Sequence, residues 1–109
     1  MTKPHEETTH TLEGVKTFHA TEDKDAHAQF QVWRKLNPSG YLLARKSDTA
    51  GMIHRANCKQ LPTFPTVEAC GADLTQEQKC CAKSMAKLEA WAQRNGVTTV
   101  SRCASCKPH

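Results

Sequence analysis

Long apolar runs are missing from this 109-residue sequence, and aromatic side chains are few: two Trp, one Tyr and three Phe. No stretch approaches the ~20 apolar residues that a helix needs to cross a bilayer, which excludes a membrane-spanning helix. The opening MTKPHEETTH also lacks the basic start and apolar run of a secretory leader. A cytoplasmic chain with no membrane partner is the resulting expectation. No carboxylate pair, Ser-His-Asp order or phosphate-cradling glycine loop is present, so hydrolysis is not indicated and the chain is read as non-enzymatic.

The hydrophobic fraction is 38%, enough for one small domain with a limited core. Such a core gains from a staple, either a metal ion or disulfides. Six cysteines are available for it. In a reducing compartment thiols more often ligate metal or pack in the core than form disulfides.

Charge is unevenly spread. Residues 1–29 carry Lys3, Lys16 and Lys24 against Glu6, Glu7, Glu13, Glu22, Asp23 and Asp25, a balance of −3, whereas the total is +4 and the remainder therefore +7. An acidic segment precedes a basic domain. A basic face on a small domain fits a polyanion partner, although basic surfaces also serve solubility alone.

Residues 1–28 are rich in Thr, Glu, His and Asp and read as a disordered tail, with His5, His10, His19 and His27 as solvated side chains at irregular spacing. Order is expected over 29–109. FQVWRKL and YLLARKS, joined by the turn residues NPSG at 37–40, predict a hairpin, and GMIHRA predicts a third strand ending at His54. The segment 59–79 reads as a long irregular excursion with a turn of helix after Asp73, and QKCCAK as a fourth short strand. Ser84 as N-cap, the stripe Met85, Leu88, Trp91 and Ala92, and the stop signal Asn95-Gly96 predict a helix from Ser84 to about Asn95. The fold class is α+β: a three- to four-stranded antiparallel sheet with one C-terminal helix, stapled by zinc.

The chemistry lies in two short motifs. His54 and Cys58 are separated by three residues, and Cys103 and Cys106 by two. Zinc in structural sites takes four ligands from thiolates and imidazoles as two local pairs, because each pair is pre-arranged and only one long loop must close. A redox role for Cys103 and Cys106 would want a helix after the second cysteine, and only three residues follow it. Of the remaining thiols, Cys70 reads as free. Cys80 and Cys81 lie next to each other on a strand, so one should point inward and one outward, and either is an alternative to His54 as fourth ligand, Cys81 before Cys80.

The order of a strand, HRANC, a loop, the helix SMAKLEAWAQRNG and RCASCKP, over about residues 40–108, resembles the metal-binding domain of the Ada DNA-repair methyltransferase and similar small bacterial domains. The GY strand, HRA-x-C motif and LEAWA helix also resemble small actinobacterial and phage-type proteins. In the Ada domain the first zinc ligand is a cysteine that accepts a methyl group from a DNA phosphotriester. His54 stands in that place here, so the resemblance implies a zinc scaffold facing DNA without the transfer step. Candidate nucleic-acid contacts are Arg34, Lys35, Arg45, Lys46, Arg55, Lys59, Arg102 and Lys107, with Trp33 and Tyr41 as aromatics that either stack on bases or pack in the core. The alternative is an adaptor or inhibitor whose partner is another protein, with the zinc purely structural; a monomer is expected in either case.

Overall fold

The computed structural model describes residues 10–12 and 14–108, and the elements follow in chain order. Strands β1 (His10–Leu12) and β2 (Val15–Phe18) form a hairpin, followed by helix α1 (Ala26–Leu36). Strands β3 (Tyr41–Arg45) and β4 (Ala50–Arg55) come next, then the one-turn helix α2 (Val67–Cys70) and a 3-10 turn at Leu74–Gln76. The chain ends with β5 (Lys79–Ala82), α3 (Met85–Arg94) and β6 (Thr99–Arg102).

One sheet holds all six strands in the order β1-β2-β5-β3-β4-β6. Four of its pairings are antiparallel and the last, β4 with β6, is parallel. The α+β class holds, but the sheet is larger than the expected three to four strands and mixed rather than antiparallel.

Both faces of the sheet are covered at its centre, while β6 is exposed along its length. On one, Leu43, Ile53, Cys80 and Val15 pack against Leu88, Trp91 and Ala92 of α3. On the other, Leu42, Cys81 and Phe18 pack against Ala26, Phe30 and Trp33 of α1. The alternation of side chains along a strand assigns the neighbours Leu42 and Leu43, and Cys80 and Cys81, to opposite faces. Both cysteines are therefore inward, because there is no outward face at β5.

The first expected strand, FQVWRKL, is instead the body of α1. Phe30 and Trp33 lie three apart and Ala26 four before Phe30, which places them on one helical stripe. Val32 and Leu36, four apart, form a different stripe that faces solvent at 54% and 74% exposure. The chain leaves the helix at Asn37, whose side-chain amide donates to the Trp33 carbonyl, and NPSG turns it into β3.

The expected tail boundary at 28/29 cuts through α1. Val15, Phe18, Ala26 and His27 are all buried, so residues 14–28 belong to the fold, while residues 1–9 and 13 lie outside the described residues. His27 is no solvated side chain: the Leu74 amide donates to its Nδ1 at 3.1 Å, which leaves Nε2 to donate to the Phe64 carbonyl at 3.1 Å. It ties the 59–79 excursion to α1.

At α3 and at the turn after Asp73 the sequence signals operate as read. Ser84 Oγ accepts from the Lys87 amide and caps α3, and Asn95 closes it with Gly96 in the left-handed region at φ 82°. Asp73 caps the 3-10 turn through the Thr75 amide.

Candidate metal centre

The parallel pairing of β4 with β6 builds the site. Ile53 is opposite Arg102, so the next residues, His54 still on β4 and Cys103 just past the end of β6, lie side by side at the same end. A parallel pair places both strand C-termini together, which an antiparallel one would not. Each strand then runs directly into a tight turn: Cys58 N donates to Arg55 O (3.0 Å) and Leu61 N to Cys58 O (3.2 Å), while Lys107 N donates to Cys103 O (2.9 Å). Lys107 adopts φ 48°, closing the second turn before Pro108.

The ligand atoms of His54, Cys58, Cys103 and Cys106 all lie within 4.8 Å of one another. The Sγ atoms of Cys58 and Cys103 are 3.9 Å apart. In a tetrahedron with Zn–S of ~2.3 Å, two sulfurs sit about 3.8 Å from each other. The set fits one tetrahedral ion. All six cysteines are free thiols.

Main-chain amides face the sulfurs. The Arg55 amide donates to Cys106 Sγ at 3.2 Å. Cys103 accepts from the amides of Cys106 and Ser105, and Cys58 from that of Gln60. Burial pushes the Cys58 thiol up to about 11, more than the Gln60 amide can offset. Burial opposes charge at Cys103 too, yet its amide donors and the thiols of Cys106 and Cys58 hold it below the ordinary thiol value. A divalent cation bound between these sulfurs would favour their ionised forms.

His54 contributes the clearest sign of a missing partner. The residue is 6% exposed and its Nδ1 is buried with no hydrogen bond among the described residues. Burial, then the charges of Lys46 and Lys79, lowers its pKa and keeps the imidazole neutral, which is the form that binds metal. Cys80 and Cys81 are not in the cluster. Each is fully buried in a hydrophobic core, Cys80 pushed up to about 12 and Cys81 well above the thiol range by burial, so both are inert packing thiols. Cys70 is partly exposed, with its Sγ on the Phe64 carbonyl at 3.1 Å.

Arg34 has a role that its sequence context hid. It is 4% exposed and spends its guanidinium on main-chain carbonyls: Nε on Ala56 at 2.7 Å, Nη1 on Pro62 at 2.7 Å, and Nη2 on Cys58 at 3.2 Å and Leu61 at 3.0 Å. Nη1 also meets Gln31 Oε1 at 3.1 Å. This fork clamps the Cys58 turn to α1. It is unavailable to a phosphate.

The other proposed nucleic-acid contacts are similarly dispersed. Arg45 donates to Gln78, Asp48 and Asn95, and Arg55 to the carbonyls of Cys106 and Lys107. Lys46 pairs with Glu77 and Arg102 with Glu89. Lys35, Lys59 and Lys107 remain exposed without a side-chain partner among the described residues. Trp33 and Tyr41 pack in the two cores. Five of the eight cations hold main-chain or carboxylate oxygens of the domain itself.

No family model, curated protein or solved structure matches the chain. Among the described residues no helix is long and apolar enough to cross a membrane.

Proposed function

We propose that this protein is a non-enzymatic binding module whose fold is completed by one structural zinc ion on His54, Cys58, Cys103 and Cys106. One observation carries the reading: two chain segments 45 residues apart put three thiols and an imidazole within 4.8 Å. Three soft sulfurs with one nitrogen favour zinc over magnesium or calcium, which take oxygen ligands. Four protein ligands leave no open position for a substrate or an activated water, the pattern of a structural site. Elemental analysis of protein purified without added metal should find one zinc per chain, and exhaustive chelation should abolish cooperative unfolding until zinc is restored. A metal-free preparation that unfolds cooperatively would remove the reading.

A nucleic-acid partner is the narrower version. It is favoured by Lys59 and Lys107, which are exposed and follow the ligands Cys58 and Cys106 directly. Two phosphate contacts give a slope of only about −2 in log K against log salt, a weak association. Duplex retardation at low salt that fades with this slope would support it, and indifference to the duplex at low salt would discard it.

A further inference from the structure

Away from the metal, a groove of about 1000 Å³ runs between α1 and the first turn of α3. Its apolar lining includes Val32, Leu36 and the edge of Trp33, and its cations are Lys16, Lys83 and Lys87. Val32 and Leu36 are the two most conspicuous apolar side chains left outside by α1, one turn apart on one stripe. None of the three lysine side chains has an ion pair or hydrogen bond among the described residues. Lys87 is laid across Gly14, where a Cβ would stand 3.0 Å from its Cδ. Apolar surface framed by unpaired charge of one sign marks an interaction site rather than a solvated face.

We propose that this groove docks an acidic amphipathic peptide segment of a protein partner, with aliphatic side chains against Val32, Trp33 and Leu36 and carboxylates toward Lys16, Lys83 and Lys87. The charge decides the occupant. A second copy would set three lysines against three lysines on a chain already at +4, which opposes self-association through this face. A nucleic acid would find the cations but no open aromatic, since Trp33 is 8% exposed and its ring closes over Gly40. A helix or extended segment with alternating apolar and acidic faces meets both requirements. The proposal rests on the reading of the chain as a binding module and not on the identity of the ion.

The test is selection from a displayed library of random peptides against the zinc-loaded full chain, counter-selected with Leu36→Glu/Lys83→Glu. Both positions are exposed, so that variant should keep its metal content and fold, which circular dichroism and zinc analysis verify independently of docking. Enriched peptides should combine Asp or Glu with Leu, Ile or Phe, and should lose about tenfold or more in affinity to Leu36→Glu alone. Neutral or basic winners, no enrichment, or affinity unchanged in Leu36→Glu overturns the proposal. So does tighter binding of a labelled oligonucleotide than of the selected peptide in competition, or a dimer that Leu36→Glu dissociates. A gain in peptide affinity on Glu6→Lys/Glu7→Lys would make the chain's own acidic segment the occupant and likewise overturn it. Failure here with one zinc still bound per chain leaves the metal reading intact, so the two fail separately.

Discussion

Replacing Arg34 is the sharpest probe of how the metal turn is held. The side chain satisfies four main-chain carbonyls, the buried ones of Ala56 and Cys58 and the part-buried ones of Leu61 and Pro62, through one guanidinium. Arg34→Met keeps most of the apolar stem and removes all the donors. A buried acceptor left without a partner costs ~1–3 kcal/mol, and bonds to a charged donor are worth ~1.5–3 kcal/mol each. Desolvating the guanidinium in the native protein costs several kcal/mol and offsets part of this, a burial that also lowers the pKa of Arg34. With two of the carbonyls re-solvated in the variant, the net loss is about 3–4 kcal/mol, a large part of the ~5–15 kcal/mol such a domain possesses. Arg34→Lys keeps the charge but can reach one or two carbonyls, and should lose about 2 kcal/mol. Urea unfolding at saturating zinc reads both values. Competition with a chelating dye should show weaker zinc binding in the same order, because the clamped turn carries Cys58. Arg34→Met within 1 kcal/mol of the parent, with unchanged zinc affinity, would refute the clamp.

Three further outcomes are expected. Cys103→Ser or Cys106→Ser should lose most of the zinc and the cooperative fold, whereas Cys70→Ser should change neither by more than about 0.5 kcal/mol, as zinc assay and urea melts will show. Zinc retention should fall with pH. Burial holds the folded His54 pKa below the ~6.5 of the unfolded chain, so the stability it contributes is complete above about 6.5 and is lost as pH drops through the folded value. Protons then also compete for the thiolates, and dye-detected release below about pH 6 is the readout; retention down to pH 4 would contradict it. Gly40→Ala should destabilise by about 1–3 kcal/mol, since a Cβ there would stand 2.8 Å from Trp33 Cη2 and 3.2 Å from the carbonyls of Ala82 and Asn37, and an unchanged urea midpoint would show that Trp33 yields freely.

The cluster of His54, Cys58, Cys103 and Cys106 is legible because both pairs are local, and the one long-range fact, that β6 returns parallel to β4, is not needed to name them. The α3 helix was legible for a similar reason: Ser84, its apolar stripe and Asn95-Gly96 agree. Helix α1 was not. Phe30 and Val32 mimic a strand alternation, and the true inner face mixes Phe30 and Trp33 with His27, Gln31 and Arg34. Those polar residues are buried because the 59–79 excursion offers them carbonyls: Phe64 to His27, and Pro62 to both Gln31 and Arg34. No local pattern announces a partner that far along the chain. The same blindness turned Arg34 and Arg45 into nucleic-acid contacts. At Cys80 and Cys81 the strand alternation is legible, but the covering of both faces of β5 by α1 and α3, which keeps both thiols in the cores, is not.

X-ray absorption at the zinc K-edge of the purified protein measures the ligand set itself. Three sulfurs at ~2.3 Å and one nitrogen at ~2.0–2.1 Å are predicted. A shell of four sulfurs would bring Cys80 or Cys81 to the ion in place of His54, and a shell of nitrogen and oxygen alone would mean that the thiols of Cys58, Cys103 and Cys106 hold no metal.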